Sequence, residues 1–439
     1  MTRSFTNTAG GLGAVILLLL AFFPPFASAQ AKTPRGTQQT VKNPLNDLLD
    51  EAKRDIDRDD FQAAIVPLQK FIAEKEDFAY AHFQLAYAYT ALKRPKDAQP
   101  EYERAMALDP KMPEAPLNLG ILLLESDPAA AISPLRKAVD LLPAQSRPRF
   151  LLGVAQERSG DLKSAAESYE AALRLDPADS ETALHLGGLY LNQNRPADAE
   201  KSFRAALQAD SSQPDAQLGL AESLDAQNKP EAASAYQAYL KTKPEDASVR
   251  ARYIHFLINR QEYDAALAEL EQQQAGKPPS LELLKLRADV QIGQKKWNDA
   301  VVTLKQALTL APQDAQLHGG LGRIYLQQRD FPAAERELKA ALQIDPNRLD
   351  SWKDLGTNYY LAGNYPAALA ALDVVAKAET PGPGVWFVRA LCYDNLKQPQ
   401  PALAAYEKFL DLDGNKNPDQ VWQAQQRIKI LKREVGGKE

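Results

Sequence analysis

Sulfur and imidazole are scarce in this chain. Cys392 is its sole cysteine among 439 residues, which excludes an intramolecular disulfide and any thiolate metal site. One thiol fits any compartment and argues only against a disulfide-stapled secreted domain. There are four histidines, His82, His185, His255 and His318, and no two are spaced as metal ligands on one helix. Strong charge is lacking too. The formal net charge is -5, so the basic footprint that nucleic acid demands is missing. No G-x-S-x-G, Walker loop, H-E-x-x-H or dinucleotide fingerprint occurs, so the common catalytic and cofactor motifs give no lead. Long apolar runs are confined to the first 29 residues.

That N-terminal stretch speaks about compartment. Arg3 supplies a short positive region, Leu12 to Phe23 an apolar run, and Pro24-Pro25 break it. Ala27-Ser28-Ala29 then places small residues where a signal peptidase needs them. Residues 1–29 are expected to be a signal peptide, cleaved near Ala29, which makes the chain periplasmic or secreted. The alternative is an uncleaved anchor, since residues 4–31 carry no charge. No cysteine lies near the site, which excludes a lipid-anchored lipoprotein. Residues 30–44 are polar, carry three positive charges and lack periodicity, as a flexible linker does.

What the chain has in abundance is repetition. From Leu45 it tiles at a period of 34 residues, with starts at Leu45, Ala79, Pro113, Ser146, Ser180, Pro214, Ala247, Leu281, Ala315, Leu349 and Pro383. The units at Pro113 and Pro214 are 33 long, each losing one residue in the inter-helix turn. Position 20 is alanine in all eleven units, from Ala64 to Ala402. Position 8 is Gly or Ala in ten, Ile254 being the exception, and position 24 is always large. Small residues facing across a helix pair, flanked by bulky ones, are what close packing requires. Prolines at position 32, such as Pro110, Pro312 and Pro346, end second helices. Pro67, Pro100 and Pro134 fall inside second helices, where a bend or a late start is expected.

In the tenth unit Trp352-Lys353-Asp354-Leu355-Gly356-Thr357-Asn358-Tyr359 reads W-x2-L-G-x2-Y, with Pro346, Ala368 and Leu372 at matching offsets. This resembles the tetratricopeptide repeat (TPR) family over about 85% of the chain. The resemblance implies an all-α TPR α-α superhelix, a right-handed solenoid of antiparallel helix hairpins. Residues 45–416 would form eleven repeats and 417–434 a capping helix with Val421, Trp422, Ile428 and Leu431 on or near one face. Residues 435–439 would be a disordered tail. The first unit, with Glu51 and Asp55 at apolar positions, reads as the opening cap. Arg287 and Arg389 stand at position 7 of the eighth and eleventh units.

The resemblance also implies that positions 2, 5, 9, 12 and 13 of first helices point into a concave groove. On that basis the candidate binding residues are Tyr80, Phe83, Tyr87, Leu117, Ile121, Leu124, Phe150, Val154, Leu184 and Leu191. The same columns turn polar in the middle units (Asp215, Glu222, Asp225, Glu282, Lys285, Asp289) and apolar again at Tyr360, Leu361, Phe387 and Leu391. The strip is read two ways: as an exposed site for a partner peptide or helix, or as an inner seam covered by the adjacent repeat. The TPR clamp for a C-terminal carboxylate needs Lys at position 5 and Asn at position 9. Here Lys353 precedes Thr357 and Lys285 precedes Asp289, so that mode fails. Repeats leave no segment for a catalytic domain. The expected protein is a non-catalytic scaffold or adaptor without cofactor or metal, with protein or peptide partners, no nucleic acid, and membrane contact only through an uncleaved signal. Alternatives are an accessory subunit of an outer-membrane assembly or polysaccharide-export machine, and, third, an enzyme assembled from groove side chains. No feature sets the oligomeric state.

Overall fold

The computed structural model describes residues 44–274 and 278–436. The expected signal peptide and residues 30–43 of the expected linker lie outside the described residues, as do residues 437–439. Pro44 already belongs to the first helix.

The described residues form 23 α-helices and no strand. The chain divides into two compact units between Glu245 and Asp246. In unit 1, six hairpins pair α1 (Pro44–Ile56) with α2 (Phe61–Glu74), α3 (Ala79–Ala91) with α4 (Pro95–Leu108), and α5 (Glu114–Leu123) with α6 (Pro128–Leu141). They continue with α7 (Ser146–Arg158) and α8 (Leu162–Leu175), α9 (Ser180–Asn192) and α10 (Pro196–Ala209), and α11 (Pro214–Ala226) and α12 (Ala232–Thr242). In unit 2, five hairpins pair α13 (Ala247–Asn259) with α14 (Tyr263–Gln274), α15 (Leu281–Gly293) with α16 (Trp297–Leu310), and α17 (Ala315–Gln327) with α18 (Phe331–Ile344). Then come α19 (Leu349–Leu361) with α20 (Tyr365–Ala378), α21 (Pro383–Asn395) with α22 (Pro399–Asp413), and a last helix, α23 (Pro418–Gly436). None of these helices is long and apolar enough to cross a membrane.

Each hairpin closes by the same steric rule. The position-20 alanine is 0% exposed in all eleven, so no larger side chain has room there. The position-8 residue of the first helix abuts the large position-24 residue of the second. A Cβ added to Gly120, Gly322 or Gly356 would come within 2.4–2.6 Å of Leu135, Leu338 or Leu372. Phe203 is held tightest, lying between Gly187 and Gly219, where an added Cβ would come within 2.7 and 2.3 Å of its ring.

The helices start and stop for local reasons. Asp60, Asp127, Asp161, Asp330 and Asn364 cap second helices by accepting a backbone N–H three residues on. The residue at position 15 turns the chain with positive φ, as glycine at Gly160 and Gly363 but as Asp59, Lys93, Asn194, Lys295 and Arg329 elsewhere.

Two expectations are corrected in part. The helices holding Pro67, Pro100 and Pro134 do not start late; each runs the full 14 residues. The carbonyl that each proline deprives of a partner belongs to Ala63, Lys96 or Ala130, all exposed, where water can satisfy it. On α23, Val421, Ala424 and Leu431 are buried, but Trp422 is 65% exposed and faces away from the core. That helix also runs two residues beyond the expected cap, to Gly436.

Candidate protein-interaction face

The ten candidate residues all lie in unit 1, on α3, α5, α7 and α9 or, for Leu124, at the end of α5. The structure separates them. Leu117, Leu124, Phe150 and Val154 are buried in one core cluster, so as contact residues these four are corrected. Ile121, Leu184 and Leu191 are half-buried and pack against that cluster. Only the α3 aromatics make a surface. Tyr80, Phe83 and Tyr87, at i, i+3 and i+7, form a continuous ladder with ring centroids 6.5 and 6.4 Å apart. Phe78 continues it beyond Tyr80 and Phe61 beyond Tyr87, at 6.5 and 6.0 Å. Phe83 rests on the buried ring of Tyr102, 6.0 Å away. Tyr80 is 37% exposed; Phe83 and Tyr87 are half-buried.

Position 12 has a different role from the one the resemblance implied. Where position 24 is tyrosine, position 12 of the same hairpin is polar and meets its hydroxyl. Thr90 donates to Tyr102 (3.2 Å), while Tyr169 donates to Glu157 (2.7 Å), Tyr236 to Asp225 (2.8 Å) and Tyr406 to Asp394 (3.3 Å). Where position 24 is Leu or Phe, position 12 is apolar, as with Leu124 and Leu135 or Leu191 and Phe203. A buried phenol needs a partner, and position 12 supplies it. The rule is legible in the sequence as two columns that change together.

Position 4 follows a second rule. His82 Nδ1 meets Glu101 (2.6 Å) and His318 Nδ1 meets Glu337 (2.8 Å). Arg250, 4% exposed, meets Glu269 (2.5 Å). In all three the glutamate stands at position 23. His82 and His318 also reach the backbone carbonyl six residues back with Nε2, at 2.9 and 3.2 Å. Trp352 donates its indole N–H to the matching carbonyl of Pro346 (2.9 Å). Position 4 therefore pins the link between hairpins, and these histidines are structural.

His185 and Glu157 are engaged in the same way. His185 lies 3.4 Å from Glu157, with its ring against Phe150 and Tyr169. Burial would raise the Glu157 carboxyl, but hydrogen bonds from His185 and Tyr169 outweigh it and leave the group below its ordinary range. Burial pushes the Cys392 thiol up to about 11, so it is no nucleophile near neutrality. His255 is exposed. Among the described residues no group of three His, Cys, Asp or Glu could hold a metal ion. Arg287 donates to Gln274 (2.6 Å) and Arg389 pairs with Asp373, each reaching the preceding hairpin.

In unit 2 the first-helix face is tied by ion pairs. Lys285 meets Asp314 (2.7 Å), Arg323 meets Asp354 (3.0 Å) and Lys353 meets Glu379 (2.8 Å). Both lysines that a carboxylate clamp would use are thus engaged. The apolar return holds in part: Leu361 is 46% exposed, Phe387 buried.

Tetratricopeptide-repeat family models match residues 79–112, 157–203, 184–247, 291–359, 326–392 and 383–416, together more than half of the chain. This chain belongs to the tetratricopeptide repeat family. The tenth repeat shows why its motif persists. Trp352 pins the link, Leu355 is buried, Gly356 admits Leu372, and Tyr359 donates to Glu335 (2.9 Å). Solved TPR structures are similar in fold. MamA from Desulfovibrio magneticus RS-1 is 21% identical, covering 39% of this chain and 98% of that one, with a TM-score of 0.37. Yeast Tom70 is 14% identical, covering 89% and 96%, with a TM-score of 0.40. YrrB, described as a TPR protein with an unusual peptide-binding site, is 19% identical, covering 43% and 96%, with a TM-score of 0.38. No curated protein matches the chain.

Proposed function

We propose that this chain is a non-catalytic protein-interaction scaffold whose partner peptide or helix lies along the first-helix face of unit 1, with the α3 aromatics as its main contact. The observation that carries the reading is the ladder itself. Five rings run side by side from Phe78 to Phe61, and Tyr80 reaches solvent. Aromatic side chains give large contact area at low entropic cost and dominate binding energy where they occur. TPR membership supports a scaffold, since repeats present surfaces rather than enclose cavities. The partner touches Tyr80 and the rims of Phe83, Tyr87 and Ile121; the four buried residues shape the wall behind them.

The place of action we propose is the cell envelope or the extracellular space. Arg3, the apolar run from Leu12 to Phe23 and Ala27-Ser28-Ala29 support it. Amino-terminal sequencing of the chain recovered from cells is expected to begin near Gln30; an intact Met1 would overturn export by cleavage.

A photo-crosslinking residue placed at position 80 tests the binding face. It is expected to capture one partner from envelope extract, and the same residue at Val302, exposed on α16, is not. Tyr80→Asp is the cleaner disruption, because Phe83→Asp also removes a ring that packs on Tyr102. Equal capture at both positions, or capture unchanged by Tyr80→Asp, retires the face. Turnover of any substrate by the purified chain, lost on changing a first-helix His or Asp, retires the non-catalytic reading.

A further inference from the structure

The last helix carries an apolar and basic face that its own fold does not use. α23 is held down by Val421, Ala424 and Leu431 and by two ion pairs. Arg427 grips Asp394 with two bonds, of 2.7 and 2.6 Å, and Lys432 meets Glu407 at 3.0 Å. On the opposite side Trp422, Lys429 and Arg433 stand at i, i+7 and i+11, one stripe of a helix, with Ile430 beside them. Trp422 is 65% exposed and Ile430 42%. Lys429 and Arg433 have no ion-pair partner among the described residues, unlike the two cations that anchor the helix. An exposed Trp and Ile on the same side of the helix as two unpaired cations mark a contact surface for something acidic.

The chain itself supplies such a surface. From Pro44 to Asp60 it holds seven acidic residues against three basic. On α1, Leu45, Leu48, Leu49 and Ala52 turn to the core. Asp47, Asp50 and Glu51 are exposed on the outer side, with the exposed cations Lys53 and Arg54 one turn on. None of the three carboxylates is in an ion pair among the described residues. We infer that the outer face of α23 binds the outer face of α1 of a second copy, so that this protein associates head to tail. Each copy offers both halves, so each can contact a neighbour through either. An anionic lipid surface is the other acidic candidate. Two cations and one Trp with a half-covered Ile fall short of the acyl chain plus polybasic patch that stable membrane anchoring takes. The second copy is therefore the better occupant. This inference is independent of the partner proposed above.

Sedimentation velocity over a concentration series tests it on the full chain. The average mass is expected to rise with protein concentration and to fall as salt is added. Trp422→Ala is expected to weaken association roughly tenfold. A tail-reversed variant, Lys429→Glu with Arg433→Glu, and a head-reversed variant, Asp47→Lys with Asp50→Lys and Glu51→Lys, should each stay monomeric alone. Mixed, they should associate again, since reversed tail then meets reversed head and native tail meets native head. Helicity and melting of each variant, matched to the native chain, separate loss of contact from loss of fold. A native chain that is monomeric throughout overturns the inference. So does association that both reversals leave intact, or a mixture of well-folded variants that fails to recover. Flotation with phosphatidylserine vesicles completes the test: binding by a monomeric native chain that the tail reversal abolishes would assign the face to lipid and overturn self-association.

Discussion

The first helices of unit 1 and of unit 2 are built on one repeat yet meet their neighbours by different physics. In unit 1 rings carry more of the contact: Phe83 rests on Tyr102 of its own hairpin, His185 of α9 on Phe150 of α7 beside the Arg147–Glu181 pair, and Phe203 of α10 on Gly219 of α11. In unit 2, α15, α17 and α19 join through Lys285–Asp314, Arg323–Asp354 and Lys353–Glu379. The apolar solution sinks most of its side chains into the core and leaves a residue of aromatic surface at Tyr80. The polar solution consumes its charges in pairs. A repeat scaffold can therefore carry the same backbone geometry with unequal capacity to bind, and the capacity follows what is left after neighbouring hairpins have been joined.

The comparison is broken most severely by removing the ring that joins two hairpins in unit 1. Phe203→Ala empties the slot between Gly187 and Gly219 and is expected to cost about 3–5 kcal/mol. Filling the slot instead, with Gly219→Ala, overpacks it and costs roughly 1–3 kcal/mol. Denaturant titration followed by hydrogen exchange should localise both losses to α9–α11. A fall spread evenly over unit 2 would contradict the local character assigned to these contacts.

The tyrosine hairpins are next. Tyr236→Phe removes the side-chain donor that holds Asp225 among the described residues, where burial has already raised the carboxyl above its ordinary value. A cost of about 1–3 kcal/mol is expected, with the Asp225 titration moving further up. Changing Asp225 and Tyr236 together to Leu recreates the apolar pairing seen at Leu124 and Leu135, and should recover most of the loss. A double-mutant cycle with no coupling would refute the pairing of positions 12 and 24.

Acid separates the units by another route. Partial burial would raise the Glu200 carboxyl, but Lys229, Gln227 and Arg204, at 2.6–3.0 Å, outweigh it and hold the group down to about 2. A depressed carboxylate stabilises fully above its unfolded value of 4.5 and loses that contribution as pH falls from there toward 2. About 1–2 kcal/mol should disappear from the α10–α12 region over this range, allowing for solvent screening. Glu200→Gln should flatten the acid limb there, measured by amide exchange against pH.

Much of the fold was legible because sterics repeat. The alanine column at position 20 and the bulky column at position 24 each recur eleven times, and one register satisfies both. The site was legible only in outline. The family resemblance implies that Leu117, Phe150 and Val154 face inward from first helices, but depth depends on how closely the adjacent hairpin covers them, and no local pattern encodes that distance. Trp422 departs in the opposite sense: the amphipathic pattern sets it on or near the face of Val421 and Leu431, but the cap has too little neighbouring surface to cover it. The interior prolines leave helix length unchanged because their cost depends on whether the orphaned carbonyl meets water, which is a property of the stack.

The left-handed turn residues were invisible for a related reason. Lys295 and Arg329 carry no turn signature, yet both sit at positive φ, 58° and 60°, where two other hairpins use glycine. A side chain there costs roughly 1–2 kcal/mol, partly offset because glycine frees the unfolded chain. Lys295→Gly and Arg329→Gly should thus each stabilise unit 2 by about 0.5–1 kcal/mol, read as a shifted denaturation midpoint. Against them, Lys353→Ala, which opens an ion pair with both partners more than a third exposed, should move the midpoint by less than about 1 kcal/mol. If that lysine proved worth more than Phe203, the contrast between an apolar and a polar way of joining hairpins would fail, since charge rather than packing would then be holding the array together.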